Sequence, residues 1–149
     1  MSKDSDPARR MLIVEDDPEH AALARVAACS AGFDVDECDT LFDAAVRLGR
    51  FRYDVVLVDW RLGGRQSGLD LMSVMPRFQP EARFMIMTAA SGAELEAVAG
   101  PVRCPVLQKP FSPASGGAFL TAAGGAAGDA SHRGREVDAS REVASCWRA

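Results

Sequence analysis

Short apolar runs with no polar alternation recur along the chain. They are Met11-Leu12-Ile13-Val14, Val55-Val56-Leu57-Val58 and Phe84-Met85-Ile86-Met87, and Val102 to Leu107, interrupted by Pro105, reads as a further strand. Runs of this length read as strands buried on both faces, which is how strands of a parallel sheet are patterned. Val35 to Cys38 is shorter and more polar, as an edge strand would be. Between these runs the pattern is helical. Pro18 to Ser30 carries Ala22, Val26 and Cys29 at 3–4 spacing, with Asp17 as N-cap, Pro18 in the first turn and Gly32 as the C-terminal stop. Thr40 is placed to cap a helix over Leu41 to Leu48, with Ala45 and Leu48 inward and Gly49 closing it. Leu69 to Met75, stopped by Pro76, and Ala93 to Ala99, stopped by Gly100-Pro101, read as two further short helices. Five strands alternating with helices give an α/β class with a parallel sheet.

Beyond Phe111 the pattern weakens. Ser112-Pro113 is a good helix start, but Gly116, Gly117, Gly124, Gly125 and Gly128 follow. Each interior glycine costs a helix about 1 kcal/mol relative to alanine. The expectation is a weak or incomplete last helix of one or two short turns anchored by Phe119. Part of the sheet face would then be poorly covered and open to a partner or to weak self-association. Residues 124–149, rich in Gly, Ala and Ser, read as a disordered tail, and residues 1–9 as a flexible N-terminal tail. One domain over residues 10–123 is left, with no internal repeat and no room for an output domain.

Composition narrows the class without changing it. The chain has 149 residues, 48% apolar and 26% charged, with a net charge of −4. No basic and aromatic cluster suggests nucleic acid. No apolar run approaches a membrane span, and the polar N-terminus lacks a signal-peptide core, so a cytoplasmic protein is expected. Cys29, Cys38, Cys104 and Cys146 are scattered without a CxxC, which argues for reduced thiols rather than a disulfide scaffold or zinc site.

The candidate chemistry lies at the strand ends. Strands one, three, four and five end in Glu15-Asp16, Asp59, Thr88 and Lys109. In a parallel sheet these ends share one edge, where open α/β sheets carry their sites. Three carboxylates at close range raise one another's pKa or require a cation, and oxygen ligands suit Mg²⁺. A carboxylate is also a competent nucleophile toward phosphorus, with lysine and a hydroxyl available to the phosphoryl oxygens. Asp17 is better explained as an N-cap than as a ligand. His20 reads as a solvated helix residue, and His132 carries no argument. Gly63 and Gly64 read as loop geometry, because no Walker or GxGxxG spacing is present. Trp60 reads as packing or partial cover for the site, and Phe51, Phe84 and Phe111 as core.

Four segments together resemble the receiver domain of response regulators in two-component signalling: Leu12-Ile13-Val14-Glu15-Asp16-Asp17-Pro18, Val56-Leu57-Val58-Asp59, Met87-Thr88-Ala89 and Lys109-Pro110-Phe111. The resemblance covers about residues 10–112 and implies a flavodoxin-like, doubly wound, five-stranded parallel sheet. It implies Asp59 as phospho-acceptor, Thr88 as switch hydroxyl and Lys109 as the phosphate-contacting lysine. Mg²⁺ would be held by Glu15, Asp16, Asp59 and the backbone carbonyl of Arg61, with Asp16 the more direct ligand of the acidic pair. It also implies a cis Lys109-Pro110 peptide. Val106 stands where the family often has an aromatic switch residue, which puts the usual coupling to Thr88 in question.

The function expected is a stand-alone aspartyl-phosphate switch rather than a turnover enzyme. Its phosphate would come from a sensor histidine kinase or phosphotransfer protein, and its output would pass to a downstream protein target. A degenerate receiver, used as an interaction module without phosphorylation, is the alternative. A phosphatase of the haloacid dehalogenase type would need Asp-x-Asp after its first strand. Asp34-Val35-Asp36 has that spacing but opens an edge strand, and Asp59-Trp60-Arg61 lacks the second acid.

Overall fold

The structure, a computed structural model, describes residues 8–63, 66–100 and 102–124. The N-terminal tail through residue 7, Gly64, Pro101 and the proposed tail from residue 125, with His132 and Cys146, lie outside the described residues. Five strands alternate with five helices: β1 Arg9–Val14, α1 Pro18–Ser30, β2 Phe33–Cys38, α2 Leu41–Arg50, β3 Val55–Asp59, α3 Gly68–Phe78, β4 Arg83–Thr88, α4 Gly92–Ala99, β5 Val106–Gln108 and α5 Pro113–Ala123. The strands form one parallel sheet in the order β2-β1-β3-β4-β5, with β2 on an edge as its polar sequence indicates.

Successive strand residues point to opposite faces, so each apolar run feeds two cores. Leu12, Val14, Val56, Val58 and Ile86 meet Leu41, Ala44 and Leu48 of α2, Leu71 and Met75 of α3, and Leu95 of α4. Met11, Ile13, Val55, Leu57, Met85 and Met87 meet Ala24, Ala27 and Ala28 of α1 and Leu120 of α5. Helices therefore cover both faces. α1 leaves β1 toward one face and α3 leaves β3 toward the other, and the ends of these two adjacent strands bound the crevice where such sheets bind ligands.

Several local expectations change. The buried face of α1 is Ala24, Ala27 and Ala28, whereas Val26 is 49% exposed and Cys29 is exposed. Small side chains win that face because α5 packs closely there: a Cβ on Gly116 would stand 3.0 Å from Ala27 Cβ and 2.7 Å from Phe111 Cδ2, and one on Gly117 would stand 2.8 Å from Ser30 Oγ. The glycines read as helix breakers are thus contact points. α5 runs eleven residues rather than one or two short turns, with Ser112 and Ser115 forming a capping box and Pro113 in the first turn. Its anchor is the fully buried Leu120, not the half-buried Phe119, and Arg9 Nη2 ties its end by donating to Gly124 O at 2.6 Å. Among the described residues the sheet face beneath α1 and α5 is covered, which removes the reason given for self-association.

Pro76 lies inside α3, which continues to Phe78. The continuation is held by Gln79, a buried side chain whose Nε2 donates to Leu48 O at 2.8 Å and Phe51 O at 2.6 Å, and whose Oε1 accepts from Tyr53 N at 2.9 Å. Gly49 lies within α2, buried, and the helix ends at Arg50. β5 is shorter than its apolar run, beginning after Pro105, which has no N–H for a ladder. Of the three phenylalanines read as core, Phe111 is buried, Phe84 is partly buried, and Phe51 is 39% exposed with Arg10 and Arg50 over its ring.

Candidate functional site

Glu15 follows β1, Asp59 is the last residue of β3, Thr88 is the last of β4 and Lys109 follows β5. Parallel strands bring all four to one edge, as their spacing in the chain predicts. Oxygens of Glu15, Asp16 and Asp59 all lie within 4.8 Å of one another. Glu15 and Asp59 are buried and Asp16 is exposed. Lys109 Nζ donates to Glu15 Oε2 at 2.7 Å and to Asp59 Oδ2 at 3.1 Å. Beside the acids a cleft of about 650 Å³ opens between α1 and α2, bounded by Pro18, Ala21, Asp43 and Val46.

The backbone fixes each group. Asp17 caps α1 by accepting the amides of Glu19 and His20 at 2.9 and 3.1 Å, which turns the chain just after the acidic pair. Glu15 Oε1 accepts from Asp17 N at 3.2 Å. The Lys109-Pro110 peptide is cis, as expected. Lys109 N donates to Thr88 O at 2.8 Å, so the lysine and threonine are registered across β4 and β5. Thr88 is buried, and its Oγ1 accepts from Ala90 N at 3.0 Å, while Ser91 caps α4. Gln108, which the sequence did not single out, donates from Nε2 to Thr88 O at 3.1 Å and Ala90 O at 3.0 Å, pinning the same loop. Val106 is half-buried beside it.

In the loop after β3, Arg61 pairs with Ser67 across a short antiparallel bridge, and Arg61 N donates to Asp59 Oδ1 at 3.3 Å. The Arg61 guanidinium stands 4.7 Å from the ring centroid of Trp60, which is itself buried. Gly63 N donates to Asp16 Oδ2 at 3.0 Å, so this glycine amide serves a carboxylate.

Electrostatically, three carboxylates face one ammonium. Burial pushes the Glu15 carboxyl up to about 7; Lys109 opposes the shift, and Asp59 adds to it. An all-oxygen donor set with uncompensated negative charge fits a hard divalent cation such as Mg²⁺ or Ca²⁺. His20 also reaches the site, with Nδ1 3.1 Å from Lys109 Nζ; its place among solvated helix residues hid this, because the contact joins residues 89 apart in sequence. The Asp-x-Asp at Asp34 and Asp36 lies on edge strand β2, away from these strand ends. Asp36 is engaged there by Arg10 at 2.8 Å and by the Tyr53 hydroxyl at 2.6 Å.

A family model described as the response regulator receiver domain matches residues 11–116. No curated protein matches the chain. Among solved structures, the chain is similar to a response regulator protein from Burkholderia pseudomallei solved with a phosphorylated aspartic acid, a calcium ion and citrate. The identity is 27% and the TM-score 0.60, covering 72% of this chain and 63% of that one. A sensor protein from Polaromonas sp. JS666 is 27% identical with a TM-score of 0.66, covering 79% and 97% of the two chains. A response regulator receiver protein from Sinorhizobium medicae WSM419, at 20% identity and a TM-score of 0.63, covers 80% and 98% and shares the fold. The chain spans less than two thirds of the Burkholderia protein.

Proposed function

Since the chain belongs to the response regulator receiver domain family, we propose that it acts as an aspartyl-phosphate switch on Asp59, supplied by a histidine kinase or phosphotransfer protein in the cytoplasm and read by a downstream protein. The observation that carries this reading is the Asp59 carboxylate, buried at the end of β3 with Lys109 Nζ 3.1 Å from one oxygen. One Asp59 oxygen attacks phosphorus, the bond from phosphorus to the donor breaks, and its electron pair leaves with the donor. Lys109 stays protonated and neutralises charge on the phosphoryl oxygens. Thr88, held on β4 with its loop pinned by Gln108, offers a hydroxyl that can donate to the product.

Glu15, Asp16 and Asp59 would hold Mg²⁺, with the backbone carbonyl of Arg61 as a further oxygen. When bound, the ion supplies the positive charge that lets these carboxylates and an incoming phosphoryl group approach one another. The calcium ion and phosphorylated aspartic acid of the Burkholderia protein support the same reading.

The test is treatment with acetyl phosphate, with and without Mg²⁺, followed by intact mass and peptide mapping. One phosphoryl group on Asp59, dependent on Mg²⁺ and lost in Asp59→Asn, is expected. A phosphoryl group mapped elsewhere would overturn the assignment, and none at all would favour an interaction module without phosphorylation.

A further inference from the structure

An ammonium has three N–H donors, and Lys109 Nζ meets three polar partners: Glu15 Oε2 at 2.7 Å, Asp59 Oδ2 at 3.1 Å and His20 Nδ1 at 3.1 Å. The first two belong to the acidic site. His20 arrives from the first turn of α1, whose start is tied by Asp17 through the amides of Glu19 and His20. Lys109 is 9% exposed, Glu15 3% and Asp59 8%, whereas His20 is exposed, so the imidazole is the outermost of the three partners.

We propose that His20 is a positioning residue for Lys109, accepting the third ammonium proton at Nδ1 and holding the Nζ beside Asp59. An ammonium only donates, so Nδ1 must carry a lone pair, which makes His20 the neutral tautomer protonated at Nε2. Neutrality suits the task. A carboxylate at this place would bring a third negative charge to the ammonium and compete with a phosphoryl group for it, and a cation would repel it. A neutral acceptor on a separate helix keeps its hold whatever charge Asp59 carries. The effect on phosphorylation rests on the receiver reading, whereas the contact itself does not.

The experiment has two arms on the full chain. In the first, ¹⁵N histidine spectra at ~pH 8.5, where an ordinary imidazole is neutral, report the tautomer of His20, with His20→Asn used to assign its signals. Protonation at Nε2 with Nδ1 as acceptor is expected; protonation at Nδ1 overturns the proposal. In the second, the initial rate of Asp59 phosphorylation by acetyl phosphate with Mg²⁺ is compared for His20→Ala, His20→Leu and His20→Asn. Loss of the acceptor should slow Ala and Leu by about fivefold, on the scale of one ordinary net hydrogen bond. Asn places an oxygen near the position of Nδ1 and should restore the rate. Ala and Leu as fast as wild type, or Asn as slow as Ala, would overturn the positioning role. A wild-type chain that takes no phosphoryl group defeats the aspartyl-phosphate reading, and the tautomer still decides the contact.

Discussion

Gly68 lies directly against the backbone of Asp59. A Cβ there would collide with the Asp59 carbonyl oxygen and stand 3.0 Å from Val58 Cγ2. Gly68 N meanwhile donates to Trp60 O at 2.8 Å, so the first residue of α3 is locked to the chain just past Asp59. The absence of a side chain at Gly68 is therefore part of how Asp59 is held.

Gly68→Ala should destabilise the protein by about 1–3 kcal/mol, the usual cost of overpacking against atoms that cannot move aside. Gly92→Ala is the control, because a Cβ at the start of α4 meets nothing within 4 Å. It should be neutral or stabilising by up to about 1 kcal/mol through the unfolded chain. Urea unfolding of both variants checks the contrast, and equal midpoints would contradict it.

Glu15 sets a pH dependence in the metal-free protein. Its carboxyl is raised by burial from 4.5 to about 7, so the folded state binds the proton more tightly than the unfolded chain does. The stabilisation from that proton is complete below pH 4.5 and is lost as pH rises through about 7. Glu15→Gln removes the titration. Without divalent metal, the variant should gain stability relative to wild type between these limits and keep the gain above them. Melting temperatures over a pH series measure this, and added Mg²⁺ should restore the wild type at high pH while doing little for the variant. A constant difference across the series would place the titration elsewhere.

The α1–α5 contact reverses the ordinary helix rule. Replacing glycine by alanine inside a helix gains about 1 kcal/mol from propensity alone. At Gly116 the new Cβ would press on Phe111 Cδ2 at 2.7 Å and on Ala27 Cβ at 3.0 Å. Overpacking costs about 1–3 kcal/mol, so Gly116→Ala should destabilise on balance. Leu120→Ala should cost about 2–5 kcal/mol, because its side chain is fully buried. Phe119→Ala should cost less than Leu120→Ala, since Phe119 is half-buried. The order of the three unfolding midpoints tests which residue anchors the helix.

Gln79 joins α3 to the end of α2 through three hydrogen bonds made by one buried amide. Gln79→Leu has similar volume but leaves Tyr53 N, Leu48 O and Phe51 O without it. Stranded buried polar groups cost about 1–3 kcal/mol each, so a loss of about 2–4 kcal/mol is expected after relaxation. Urea unfolding should show a lower midpoint at unchanged slope. An unchanged midpoint would mean that water replaces the amide.

The sequence by itself determined the element order, the parallel sheet and the meeting of Glu15, Asp16, Asp59, Thr88 and Lys109. The reason is that a strand buried on both faces writes a continuous apolar run, and parallel strands must end at one edge. Asp17, Thr40 and Ser112 were legible as caps because capping is local chemistry within a few residues. Tertiary structure alone decided what depends on a distant neighbour. Alanine beats valine for the inner face of α1 because Gly116 and Gly117, some ninety residues later, bring α5 close. Pro76 fails to stop α3 because Gln79 bonds to the end of α2. His20 joins Lys109 because the turn after β5 delivers that lysine beneath the first turn of α1. Propensity acts within a segment, and these outcomes are set by packing and hydrogen bonds between segments, which no local pattern encodes.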